Sequence, residues 1–73
     1  MKRGTPVVFT TKYGDRATGL YLSKKGGAHL VVSDDCFGPD HADKLNVMCF
    51  LFEEPATLEG EEAEKVKERI GEV

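Results

Sequence analysis

The side chains most able to do chemistry in this chain lie close together in one segment. Residues 34–43 combine carboxylates, a thiol and an imidazole, which are the groups that bind divalent metals: Asp34, Asp35, Cys36, Asp40, His41 and Asp43. Their spacing matches neither a paired-cysteine zinc site nor an EF-hand calcium loop. We therefore interpret the segment as an acidic, turn-rich loop, and predict no metal site and no cofactor.

A cysteine nucleophile is the second chemistry to consider. Cys36 could be activated by His29 or His41, but covalent catalysis also needs a third group that orients the histidine and a pocket for the developing charge. The sequence offers neither, so we predict that the protein is not an enzyme. We expect Cys36 and Cys49 to be free thiols, because a disulfide requires an oxidising compartment.

Charge divides the chain into two unlike halves. Up to Ser33 there are six basic residues and one acid, and from Asp34 onward there are four basic residues and twelve acids. The halves therefore carry +5 and −8, which add to the net charge of −3. Such asymmetry indicates contact with nucleic acid, or an acidic end that neutralises the basic half internally.

Basic residues near tyrosines make nucleic-acid binding the leading functional hypothesis. Cations contact phosphates, and an exposed aromatic ring stacks on a base. The candidate contacts flank two predicted turns: Lys12, Tyr13, Arg16, Tyr21, Lys24 and Lys25. The alternative is a protein-interaction or regulatory subunit, possibly a homo-oligomer, with no nucleic-acid role, because the core is small and residues 44–52 are apolar.

Three predicted strands between Thr5 and Ser33 position these side chains. Residues 14–15, Gly-Asp, lie between two β-rich runs and predict a two-residue hairpin loop, which places Phe9 opposite Leu20. For the second hairpin we prefer a three-residue loop at 25–27 over a two-residue Gly-Gly loop. That choice sets Leu22 opposite Leu30 and Leu20 opposite Val32.

This register assigns each side chain to a face of the sheet, since successive residues alternate. The predicted inner face holds Val7, Phe9, Leu20, Leu22, Leu30 and Val32. The predicted outer face holds Val8, Thr10, Lys12, Ala17, Tyr21, Ser23, His29 and Val31. Gly19, on the outer side, should permit a bend, a bulge or the close approach of another backbone.

The remaining residues are expected to complete the β fold and add a helix. Residues 44–52, KLNVMCFLF, are apolar on both alternate sets, which suits a central strand covered on both faces or one that changes layer in a barrel. Thr57 is a candidate N-cap for a helix of about eleven residues. Glu61 and Lys65 are spaced to pair on that helix. Its thin apolar stripe must dock on the sheet, dock on a partner or fray: Ala63, Val66 and Ile70.

Residues 14–22, GDRATGLYL, resemble the turn-and-strand core of KOW/Tudor-like domains, which have an SH3-like barrel fold. The preceding TPVVFTT and the following AHLVV fit the flanking strands of such a barrel. The resemblance implies a five-stranded, partly open barrel that binds RNA, DNA or a protein.

The whole chain, residues 1–73, is expected to be one mainly β domain. We predict a small SH3-like antiparallel barrel or bent sheet of four to five strands over 5–54, with a short C-terminal α-helix over 57–71. The sequence has no apolar run of the ~20 residues that a membrane helix needs, and no signal-peptide core. We therefore expect a cytoplasmic protein that does not contact membranes.

Overall fold

A computed structural model describes residues 1–36 and 46–71. In those residues one antiparallel sheet is followed by a helix: β1 Pro6–Thr10, β2 Arg16–Lys25, β3 Ala28–Ser33, β4 Val47–Leu51, β5 Ala56–Thr57 and α1 Gly60–Ile70. The strand order is β4-β3-β2-β1-β5. The prediction of a mainly β chain with a C-terminal helix is confirmed. Within the described residues the sheet keeps two edges, β4 and β5, and does not close into a barrel.

The loop of the first hairpin is longer than the predicted two residues. Thr10 pairs with Arg16 and Phe9 with Ala17, so the predicted pairing of Phe9 with Leu20 is wrong. The Thr11 hydroxyl accepts hydrogen bonds from the backbone N–H groups of Tyr13 and Asp15, both at 3.2 Å. The Thr11 N–H also donates to the Asp15 carbonyl oxygen at 2.8 Å. The loop is therefore Lys12-Tyr13-Gly14, and the Thr11 side chain satisfies backbone donors inside it.

The register error is three residues, and an odd shift moves side chains to the opposite face of a strand. One face of the sheet, here called the thiol face, buries Val7, Phe9, Ala17, Tyr21, Val31 and Cys36, with Val47, Cys49 and Leu51 packed against them. The other, the helix face, carries Leu20 beside Val8 and Val32. The predicted inner and outer sets are therefore wrong, since each mixes residues from both faces.

The second hairpin contains a β-bulge that neither predicted register included. Leu20 pairs with Val32 as predicted, but Ser23, rather than Leu22, lies opposite Leu30. The turn is the two-residue Gly26-Gly27 loop, with positive φ at both glycines, as a tight hairpin turn requires. The extra residue between Tyr21 and Ser23 absorbs the difference between the two registers.

Gly19 confirms one of its three expected roles, the close approach of another backbone. A Cβ added at Gly19 would lie 2.3 Å from the carbonyl oxygen of Val32. Neighbouring backbone, unlike the end of a flexible side chain, cannot move aside at small cost. The contact therefore requires glycine at this point of β2.

β4 is an edge strand, so the prediction of a central strand covered on both faces is wrong. Among the strands that the structure describes, it pairs with β3 alone, from His29 opposite Leu51 to Ser33 opposite Val47. Its predicted first residues, 44 and 45, lie outside the described residues.

α1 begins three residues after the predicted N-cap. Thr57 lies in β5, where it pairs with Val7, and Glu59 is the N-cap residue without a side-chain capping bond. The predicted ion pair of Glu61 with Lys65 is present at 3.6 Å.

The apolar stripe of α1 docks on the sheet, which is one of its three expected fates. Ala63, Val66 and Ile70 are buried against Leu20 and Leu58 on the helix face. No helix in the described part of the chain is long and apolar enough to span a bilayer.

We predict that Gly19→Ala destabilises the protein by about 2–3 kcal/mol, because the new methyl group overlaps backbone and forces β2 and β3 apart. Urea unfolding followed by circular dichroism measures the loss. Gly14→Ala is the control: Gly14 has φ +86° and open space around it, so only the backbone strain of about 1 kcal/mol remains. Equal losses in the two variants would contradict the close-approach explanation.

Candidate functional site

Lys24 and Lys25, two of the predicted phosphate contacts, are exposed at the end of β2. They precede the Gly26-Gly27 turn, so both amino groups are carried on a tight hairpin tip. The ion pairs among residues 1–36 and 46–71 include neither lysine. These two cations are therefore placed to meet an anionic partner.

Lys12 and Tyr13 lie in the loop at the opposite end of β2, and both are exposed. The Lys12 ammonium lies 5.2 Å from the centre of the Tyr13 ring, within the range of a cation–π contact. Tyr13 remains 65% exposed, so its ring is open to a stacking partner.

Arg16 forms an ion pair with Glu62 of α1. Its guanidinium donates two hydrogen bonds to the carboxylate of Glu62, at 2.8 and 2.9 Å. This pairing raises the pKa of Arg16 and lowers the pKa of Glu62. The expectation that the acidic end neutralises part of the basic half therefore holds for Arg16, and a phosphate would have to displace Glu62.

Tyr21 is buried, so its predicted place on an exposed outer face is wrong. Its side chain is 4% exposed, and its hydroxyl lies 2.9 Å from Nδ1 of His29. The two rings also pack against each other, with centres 5.8 Å apart. A base cannot stack on this ring. The reason is that the predicted register of β1 and β2 was wrong by three residues. In the observed register Tyr21 lies on the thiol face, together with Val7 and Phe9.

The exposed candidates do not form a single site. Lys12 and Tyr13 precede β2, whereas Lys24 and Lys25 end it, and its ten residues span about 30 Å. One extended nucleic-acid strand could touch both ends, but a compact ligand could not.

A buried polar cluster, which the sequence analysis did not identify, lies where β3 ends. Ser33 is fully buried, and its Oγ lies 2.7 Å from both the Thr18 carbonyl oxygen and Asp35 Oδ1. The Asp35 carboxylate in turn accepts hydrogen bonds from the backbone N–H and the hydroxyl of Thr18, both at 3.0 Å. These side chains satisfy the β2 backbone at the point where β3 no longer pairs with it.

Arg69, in the last turn of α1, joins the helix to this cluster. Its Nη2 donates to Asp34 Oδ1 at 2.9 Å and to the Thr18 hydroxyl at 2.8 Å. The hydrogen bond to Asp34 raises the pKa of Arg69. Asp34 and Asp35, grouped at first with possible metal ligands, therefore hold the helix on the sheet.

Metal binding gains no support from the described residues. In residues 1–36 and 46–71 no three His, Cys, Asp or Glu side chains converge on a point that could hold an ion. Asp40, His41 and Asp43, the rest of the candidate set, lie outside the described residues.

Cys36 and Cys49 are free thiols that pack together on the thiol face. Burial, and then a hydrogen bond with Cys36, raise the pKa of Cys49 to about 12. The Cys49 thiol is therefore protonated at neutral pH, and a protonated thiol is a weak nucleophile.

Among residues 1–36 and 46–71, the largest group of exposed apolar side chains lies on β4 and just after it. Met48, Phe50 and Phe52 are 63%, 64% and 86% exposed, and we call these three residues the β4 patch. Met48 pairs with Val32 and Phe50 with Leu30, so the patch continues the helix face beyond the area that α1 covers. Their alternation was visible in the sequence, but was interpreted as evidence for a second buried face.

The backbone N–H and C=O groups of Met48 and Phe50 have no strand partner among the described residues. The Tyr21 N–H and C=O bond to Thr5 and Gly4 on the β1 side. Since bonding direction alternates along and across antiparallel strands, Leu20 bonds Val32 and Val31 bonds Cys49. The N–H and C=O groups of Met48 and Phe50 therefore point away from β3, along the open edge of the sheet.

No protein-family model matches this chain, and no curated protein and no solved structure matches it significantly.

We predict that Ser33→Ala destabilises the protein by about 1–3 kcal/mol, because the Thr18 carbonyl and the Asp35 carboxylate lose a buried donor. Ser23→Ala is the matched control, since Ser23 is exposed on β2 and its loss should lie within about 0.5 kcal/mol of zero. Urea midpoints of the two variants give the comparison. A neutral Ser33→Ala would show that the cluster does not stabilise the fold.

Proposed function

We propose that this protein is a non-enzymatic protein-interaction module that binds an extended polypeptide along β4. The observation that carries the proposal is the β4 patch: three large apolar side chains are exposed beside an open strand edge. A strand added to such an edge gains backbone hydrogen bonds, while alternate side chains supply apolar contacts. This is the runner-up hypothesis of the sequence analysis.

The size of the patch supports binding of modest affinity. Its exposed fractions correspond to roughly 400 Å² of apolar surface, which is within the range of the largest patches on soluble monomers. Burial would contribute roughly 10 kcal/mol before the costs of association. The bound peptide buries a similar area of its own, and the costs of association consume more than half of the total. What remains, roughly 8 kcal/mol, corresponds to dissociation constants in the micromolar range.

We further propose that the sheet is a partly open SH3-like barrel and that the protein acts in the cytoplasm. Val7 and Val31 are fully buried on the thiol face, although α1 covers the opposite face. A sheet that curves around its own side chains accounts for that burial. Cys36 and Cys49 pack together without forming a disulfide, which is typical of proteins in a reducing compartment.

We predict that random peptides displayed on phage and selected against this protein will be enriched in alternating apolar residues. Phe50→Lys should weaken the selected peptides at least tenfold, because a charge replaces the centre of the patch. Tyr13→Lys is the matched control, since Tyr13 has the same exposure at the other end of the sheet. Fluorescence anisotropy measures both variants. Equal affinity for wild type and Phe50→Lys would contradict binding at β4.

Nucleic-acid binding is the second candidate function, and the exposed hairpin tip with Lys24 and Lys25 supports it. The tip presents two cations in adjacent positions, and Tyr13 offers an open ring at the far end of β2. The paired Arg16 and the buried Tyr21 reduce the six predicted contacts to four. For this reason we place the hypothesis second.

If nucleic acid is the ligand, the double variant Lys24→Glu, Lys25→Glu should abolish binding to labelled single-stranded DNA and RNA. Replacing each lysine alone by alanine should lower the slope of log affinity against log salt by about 0.7, the value for one phosphate contact on a single strand. The control is Lys65→Glu, Lys67→Glu, because both of these lysines are ion-paired on α1. Unchanged affinity in the hairpin variant would remove this function.

A further inference from the structure

We infer that the polypeptide bound along β4 is a second copy of this chain, joined edge to edge so that two sheets become one. The inference rests on the proposed function and names its partner. Three properties of β4 favour a second copy: its backbone pattern, its lack of charge and the area of its patch.

The open backbone groups of β4 are complementary to themselves. Met48 and Phe50 each present an N–H and a C=O that have no backbone partner among residues 1–36 and 46–71, and they lie symmetrically on either side of Cys49. In an antiparallel pair centred on Cys49, Met48 of one copy faces Phe50 of the second copy, and each such pair exchanges two hydrogen bonds. The same register brings a thioether beside an aromatic ring, which is a favourable contact.

The edge lacks the devices by which natural sheets prevent this pairing. Residues 46–52, NVMCFLF, contain no charged residue and no proline, and the ladder between β4 and β3 has no bulge. Edge strands that stay unpaired usually carry lysine, proline or a bulge. Two copies can therefore align here without like charges meeting.

The geometry of the pair also provides a cover for the patch. Residues opposite each other in antiparallel strands point to the same side of the sheet, so both α1 helices lie on one side of the joined sheets. The β4 patches then meet in the groove between the two helices. Burying roughly 400 Å² on each copy provides about half of a standard interface from three side chains, and the paired backbone adds to it.

The test combines solution mass with amide exchange on the wild-type chain. Sedimentation equilibrium over about a hundredfold range of concentration around a micromolar constant should show a reversible monomer–dimer equilibrium. Over the same range, hydrogen exchange by NMR should slow at least tenfold for the amides of Met48 and Phe50. The Cys49 amide is the internal control, since it is bonded to Val31 in both states and should change less.

Variants then locate the interface. Phe50→Lys should remain monomeric throughout the range, whereas Tyr13→Lys, altered at an equally exposed aromatic, should dimerise like wild type. Circular dichroism confirms that both variants fold. If Phe50→Lys does not fold, the exchange pattern of the wild-type chain still decides the question.

Each result separates this inference from the proposed function. A dimer lost in Phe50→Lys, with protected Met48 and Phe50 amides, supports the second copy. A chain that stays monomeric, or a dimer that Phe50→Lys leaves intact, overturns it. A monomer that still binds selected peptides through Phe50 would overturn the second copy alone, and a monomer that binds only nucleic acid would overturn both.

Discussion

The fold depends on one constraint: a single short helix has to cover the apolar side chains of the whole helix face. An eleven-residue helix is about 16 Å long and about 10 Å wide, whereas five strands spaced at about 4.8 Å make a wider surface. α1 covers Leu20 with Val8 and Val32, which belong to β1, β2 and β3. β4 lies beyond its reach, and the exposure of the β4 patch is therefore a consequence of the dimensions of the two elements.

Polar contacts join the helix to β2 and to the residues that follow β3. Arg16 holds Glu62 near the start of α1, and Arg69 binds Asp34 and Thr18 near its end. The second attachment is the firmer one, because it joins a network around the fully buried Ser33, whereas the exposed Arg16–Glu62 pair contributes little. Part of the charge asymmetry of the sequence therefore positions the helix, and the β4 patch remains exposed.

The sequence predicted the elements better than their pairing. Strand-rich runs and the helical stripe of Ala63, Val66 and Ile70 are local patterns, so β1 to β4, the helix and its buried face could be recognised. The two-residue β5 was missed, because Thr57 was assigned to the start of the helix. The predicted registers were wrong because of two features that have no reliable sequence signature. One is the Thr11 hydroxyl bonding in the longer first loop, and the other is the bulge between Tyr21 and Ser23. The longer first loop shifts the register of β1 and β2 by three residues, so Tyr21 lies in the core and not on an exposed face. The exposure of Lys24 and Lys25 could be predicted because turn residues face solvent. The exposure of the β4 patch could not, because it depends on the position of a helix that begins only at Gly60, beyond the end of the strand.

The two edges of the sheet differ in a way that sets how large an assembly can become. β5 has two residues and a proline just before it, so it offers almost no template for an incoming strand. When an edge strand pairs with the same strand of a second copy, neither strand has unpaired backbone groups left for a third copy. Growth by repeated addition requires a second long edge on every subunit, and β5 does not provide one. If two copies pair through β4 as inferred, the assembly stops at two chains, because no second long edge is present in the described residues. The same strand with a long β5 would carry the hazard of fibre formation.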